Sequence, residues 1–171
     1  PPASVWRLRC WDQAFSLPVL VLSYPWLDRQ HPDKHGATLR RILPILRACV
    51  EKAREYGAHA TVGVFWDYLS LPQRHVDGTD DRSAAERARF DRGLAQMAGL
   101  YAHPYTLVLS ARIPIPDGDY ENTRPYEKRG WCHFELRTAS IVKNDGCLWD
   151  LSLHTEGRKT TFATCTNRLR S

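Results

Sequence analysis

The chain has 171 residues, 43% hydrophobic and 25% charged, with a formal net charge of +5. That length fits one compact domain, residues 1–171, built round a single core, and the composition is far from that of a disordered chain. The basic residues are scattered among acids, so nucleic-acid binding is not indicated, and the longest apolar run, Leu17 to Leu22, falls well short of the roughly 20 residues that span a bilayer.

The polar start is unlike a secretory signal, so the chain reads as cytoplasmic, and Pro1-Pro2 without a methionine suggests an excised domain. Cysteines 10, 49, 132, 147 and 165 form no CxxC pair and are odd in number, which points to reduced, buried thiols and to no zinc knuckle.

In chain order, Leu17 to Tyr24 reads as a buried first strand ending in a loop. Leu39, Ile42, Leu43, Leu46, Cys49, Val50 and Ala53 recur at helical spacing as far as Tyr56-Gly57, where glycine suits a left-handed cap. Pro44 lies inside this pattern, so either the helix begins close to it or its first turns are kinked. A second apolar run, Ala60 to Trp66, meets Asp67, and a helical pattern through Ala84, Phe90, Leu94, Met97 and Tyr101 follows. The third run is Tyr105 to Ser110. The irregular stretch Ala111 to Lys128 that follows is long enough to suggest function. Trp131 to Val142 reads as a third helix and Cys147 to Leu153 as a fourth strand, with Thr160 to Cys165 as a possible edge strand or tail.

Strands alternating with amphipathic helices imply an α/β fold with three layers, a doubly wound and mostly parallel sheet. In such sheets ligands bind at the carboxyl ends of the strands. Here those ends carry Ser23, Tyr24 and Trp26, then Asp67 and Tyr68, then Ser110, then the loop that leads to Trp131 and Glu135. Neither GxGxxG nor GxxxxGK[ST] is present, so any nucleotide is held in another way. Arg124, Lys128 and Arg129 form a local basic excess suited to a phosphate-bearing ligand, whereas the basic end 167–171 reads as a solvated tail.

Glu135 is the candidate catalytic residue. Trp131 and Phe134 beside it should desolvate its carboxylate, which is how proteins prepare such groups for chemistry, although a glutamate in the first turn of a helix also serves as a cap. Other groupings carry less. His31, Asp33 and His35 sit in a loop that does not hold them on one face, so no metal site is expected. Adjacent Cys132 and His133 diverge by about 100° on a helix and form no nucleophile–base pair. Ser23 and Ser110 lack a nucleophile elbow. Asp67 either polarises something at the strand end or caps the turn after it.

Three boxes carry a family resemblance: Val19 to Tyr24, Phe65-Trp66-Asp67, and Leu107 to Ser110 followed by Trp131-Cys132-His133-Phe134-Glu135-Leu136. This ordered set resembles the TIR domain over about residues 17–145, and Phe65 to Gln73 with Leu100-Tyr101 is similar to the related fungal heterokaryon-incompatibility domains. The insertion His31 to Gly36 and the extended 111–128 loop depart from ordinary TIR features.

The resemblance implies a flavodoxin-like architecture and an NAD glycohydrolase cleaving the nicotinamide–ribose bond, with Glu135 at the matching catalytic position. It further implies NAD as substrate without a separate cofactor, self-association, and a signalling or defence context. Ser23, Tyr24, Trp26, Asp67, Ser110, Arg129 and Trp131 are then the candidate nucleotide-binding residues, with Trp66 a further stacking candidate and Arg124 a further phosphate candidate. A non-enzymatic self-associating module and a nucleotide-binding relative on the same architecture are the alternatives.

Overall fold

A computed structural model describes residues 18–55, 61–75, 77–143 and 146–153. The elements are β1 (Val19–Ser23), α1 (Ala37–Arg54), β2 (Gly63–Phe65), the single turn α2 (Asp67–Ser70), α3 (Ala84–Ala102), β3 (Thr106–Ser110), α4 (Gly130–Val142) and β4 (Leu148–Asp150). Short 3-10 turns cover Tyr126–Lys128 and Leu151–Leu153. The class expected from the sequence, α/β with a parallel sheet, is observed: four strands in the order β2-β1-β3-β4, every pair parallel.

Alternation along β1 and β3 divides the core into two layers. Leu20, Leu22, Leu107 and Leu109 point to one face and pack with Ile42, Ile45, Cys49 and Ala53 of α1, together with Trp66 and Trp149. Val21 and Val108 point to the other face and meet Met97 and Tyr101 of α3 and Ala139 of α4. Both central strands are thus covered on both sides, which explains their unbroken apolar sequences.

Several boundaries differ from the sequence expectation. β2 is only three residues long and Val64 is 40% exposed, because it is an edge strand with one neighbour. β4 is likewise short, and Leu151 to Leu153 turns away as a 3-10 segment. The α1 helix starts at Ala37, well before Pro44, which lies in its interior on an exposed position, so the helix does not begin at the proline. Leu39 and Leu43, read as core-facing, are exposed; the buried stripe runs through Thr38, Ile42, Ile45, Ala48, Cys49 and Ala53. In α3, Leu94 is exposed and only Met97 and Tyr101 are buried. The expected cap at Tyr56-Gly57, the 160–165 strand and the basic 167–171 end lie outside the described residues.

Local chemistry explains the helix starts. Gly36 adopts a left-handed backbone (φ 66°), and the Asp33 carboxylate accepts hydrogen bonds from the Thr38 and Leu39 N–H groups at 3.1 and 2.9 Å. This ties Asp33 to the first turn of α1, while His31 uses Nδ1 to accept the Asp33 N–H. α3 opens with a capping box between Ser83 and Glu86. Among the described residues, no helix is long and apolar enough to cross a membrane.

Candidate functional site

The chain leaves β1 toward β2 on one side of the sheet and leaves β3 toward β4 on the other, so the sheet order reverses between β1 and β3. The segments that follow these two strands diverge there and leave a crevice, the usual place for a ligand in a parallel sheet. Ser23 and Ser110, the last residues of β1 and β3, lie side by side in the register.

Glu135 reaches this point from α4. It sits in the second turn of the helix, one turn beyond the free N–H groups, so the capping role expected for a first-turn glutamate is overturned. Its side chain is 3% exposed, and Oε2 accepts a hydrogen bond from the Ser23 hydroxyl at 2.5 Å. Ser23 Oγ is in turn 2.6 Å from the Tyr126 hydroxyl. Since the Ser23 proton is directed at Glu135, Tyr126 is the donor, giving a relay from Tyr126 through Ser23 to Glu135. Burial pushes the Glu135 carboxyl up to about 7, against the hydrogen bond from Ser23, which favours the anion. Tyr101 donates its hydroxyl to the Leu22 carbonyl at 3.1 Å. Burial raises the Tyr101 and Tyr126 hydroxyls well above the usual phenol range, so both act as neutral donors.

Above this relay lies a cavity of about 500 Å³. Tyr24, Trp26 and Asp67 form one wall, Phe90, Leu94 and Met97 of α3 another, and Arg124, Lys128, Arg129, Gly130, Trp131 and Cys132 the third. Asp67 organises the first wall: its carboxylate accepts from the Tyr24 hydroxyl at 2.8 Å, the Trp26 indole N–H at 3.0 Å and the Tyr68 N–H at 2.7 Å. Burial raises its pKa in spite of those three donors. Asp67 therefore braces the pocket wall and accepts from the first N–H of the turn after β2.

Five of the seven candidate binding residues, Tyr24, Trp26, Asp67, Arg129 and Trp131, line the cavity. Ser23 lies beneath it on Glu135. Ser110 does not take part: it is 1% exposed and donates its hydroxyl to the Trp149 carbonyl at 3.0 Å, joining β3 to β4. Arg129 is present for a different reason than its charge suggested. Its guanidinium donates to the carbonyls of Arg124 (2.8 Å), Asn122 (2.8 Å) and Trp26, clamping the 111–128 loop to the segment after β1. Arg124 and Lys128, both exposed on the rim, are the better placed cations for a phosphate. Trp66 is buried against Tyr24, ring centroids 5.2 Å apart and edge to face, and belongs to the core. Cys132 is a buried thiol, pushed up to about 12 by burial, with its S–H directed at the Tyr24 carbonyl at 3.5 Å; it is no nucleophile at neutral pH.

Sequence reasoning missed Tyr126, one of two tyrosines in a polar loop, and the placement of Tyr101 close enough to Glu135 to feel its charge. It read Phe90, Leu94 and Met97 only as part of a helical pattern, because an apolar helical stripe reads the same whether protein or a cavity covers it. Chemically, the site combines a buried carboxylate titrating near neutrality, an aromatic wall fixed by Asp67 and two rim cations; Glu135 itself lies one helical turn beyond Cys132, below the cavity lining. Comparison with family models, curated proteins and solved structures finds no match to this chain.

Proposed function

We propose that this chain is a TIR-like, flavodoxin-like domain that hydrolyses the nicotinamide–ribose bond of NAD, with Glu135 as the catalytic carboxylate. The observation that carries the proposal is the placement of Glu135: buried at the β1–β3 switch point, held by Ser23 and ionising near neutral pH beside an aromatic cavity. The sheet order supports the architectural part of the reading.

The ring nitrogen of bound nicotinamide is already quaternary, so the bond electrons pass to it as the C1′–N bond breaks and nicotinamide leaves neutral. No general acid is needed, unlike in ordinary glycosidases. The developing charge lies on the sugar, where an anionic Glu135 accepts hydrogen bonds from the ribose hydroxyls and stabilises the oxocarbenium-like transition state. Such preorganised stabilisation is worth about 10²–10³-fold in rate. Water then adds to C1′ and loses its proton to solvent, giving ADP-ribose; an internal or added nucleophile in place of water gives cyclised or base-exchanged product. Tyr24, Trp26 and Trp131 supply flat surfaces for the nicotinamide, and Arg124 and Lys128 meet the phosphates.

The reading places the domain in a cytoplasmic signalling or defence system in which self-association completes the site. Two alternatives each have an observation in their favour. The 3% exposure of Glu135 and the exposed Trp131, Phe134, Ile141 and Val142 along α4 favour a non-enzymatic self-associating module. The cavity by itself favours a nucleotide-binding relative that does not cleave. Nicotinamide release from NAD by concentrated protein separates these: release by the parent and none by an equally folded Glu135→Ala supports hydrolysis, and release by neither refutes it.

A further inference from the structure

A second cavity of about 560 Å³ adjoins the first and shares Trp26, Gln73 and Phe90 with it. Its outer wall comes from the loop after β1 and from the segment between α2 and α3, where Arg29, Arg74 and Arg82 converge. The three cations are not equivalent. Arg82 is buried and matched: Nε and Nη2 donate to both oxygens of Asp80 at 2.8 and 2.9 Å, Nη1 donates to the Pro72 carbonyl, and the guanidinium lies 4.5 Å from the centre of the Phe90 ring. It builds the wall. Arg74 has only a distant share of the same Asp80, at 3.8 Å. Arg29 is anchored through its backbone N–H, which donates to Glu121 Oε2 at 3.0 Å, and its guanidinium makes no ion pair among the described residues. The acid on the lining, Asp77, accepts from the Thr79 N–H and hydroxyl at 2.8 and 2.7 Å and lies 3.1 Å from His75 Nδ1.

One guanidinium without an ion pair among the described residues, Arg29, and one held only at 3.8 Å to Asp80, Arg74, thus line a pocket together with Trp26, an indole held in place by its N–H bond to Asp67. Planar aromatic surface beside cations is the chemistry that recognises a heterocyclic base carrying a phosphate. We propose that this second cavity is a mononucleotide-binding subsite, the base against Trp26 and the phosphate monoester against Arg29 and Arg74. The subsite does not use Glu135, and it shares only its wall, Trp26 included, with the catalytic reading. Trp26, Gln73 and Phe90 belong to both cavities, so a nucleotide here also touches the wall of the first.

The probe is adenosine monophosphate, added to the whole chain and followed by calorimetry, with adenosine and inorganic phosphate as comparisons. The expected result is that the nucleotide binds more tightly than either fragment, that Arg29→Ala/Arg74→Ala weakens it about tenfold or more, and that Glu135→Gln leaves it unchanged. Both arginines are exposed, so the double variant should keep the parent's thermal unfolding. No binding by the parent, equal binding by the double variant, or a loss that instead follows Arg124→Ala/Lys128→Ala would each overturn the assignment, the last by moving the nucleotide to the first cavity.

Discussion

Replacing Glu135 by glutamine tests the electrostatics of the site without reference to any substrate. The carboxyl has a pKa near 4.5 in the unfolded chain and is pushed up to about 7 in the fold. A raised carboxyl pKa means the folded state holds its proton longer, so between these values the native protein binds more protons than the unfolded one and stability falls as pH rises. The rise from 4.5 to about 7 corresponds to about 3 kcal/mol of destabilisation, fully present above pH 7 and absent below about pH 4.5. Solvent screening is small at 3% exposure. Glutamine keeps an acceptor for Ser23 but does not ionise, so the variant lacks this slope. Denaturant unfolding of parent and Glu135→Gln at pH 5 and pH 8 should show the variant gaining about 2.5 kcal/mol relative to the parent across that interval. Parallel stability profiles would refute the claim that burial controls this carboxylate.

Ser23→Ala removes the direct donor to Glu135 and strands the Tyr126 hydroxyl; it should cost about 1–3 kcal/mol and move the carboxyl's titration further above pH 7, read from the acid limb of any pH–activity profile or from carboxyl NMR shifts. Arg129→Lys should destabilise by about 1–3 kcal/mol in denaturant, since an ammonium cannot span three carbonyls, whereas Arg124→Ala, exposed on the rim, should stay within about 0.5 kcal/mol. Equal effects would contradict the clamp. Asp67→Ala leaves the Tyr24 hydroxyl and Trp26 N–H without their acceptor, so tryptophan emission should shift and stability fall by about 2 kcal/mol or more; an unchanged spectrum would show that Asp67 does not hold the wall.

The two central strands were legible because burial on both faces leaves an unbroken apolar run, and α4 because Trp131 to Val142 keeps helical spacing as far as its true end. β2 was overextended because an edge strand need not be apolar throughout, and Leu39 and Leu43 misled because hydrophobic residues also occur on surfaces. Within the site, the importance of Glu135 was readable from its neighbours. The partner that holds it was not, since Ser23 is 112 residues from Glu135 in sequence and 103 from Tyr126. Ser23 and Ser110 are alike in sequence context and adjacent in the sheet, yet one faces a carboxylate and the other a strand carbonyl. Arg129 shows the same limit: charge is visible in a sequence, and the three carbonyls that engage it are not.

The most direct test of the account is a time course of nicotinamide release from NAD at pH 8, with the protein concentrated or tethered, run on the parent and on Glu135→Gln shown to be folded. The account predicts release by the parent alone, with activity falling to half as the pH drops to about 7. Equal release by both proteins would contradict the assignment of Glu135, and release by neither, with assembly enforced, would contradict the enzymatic reading itself.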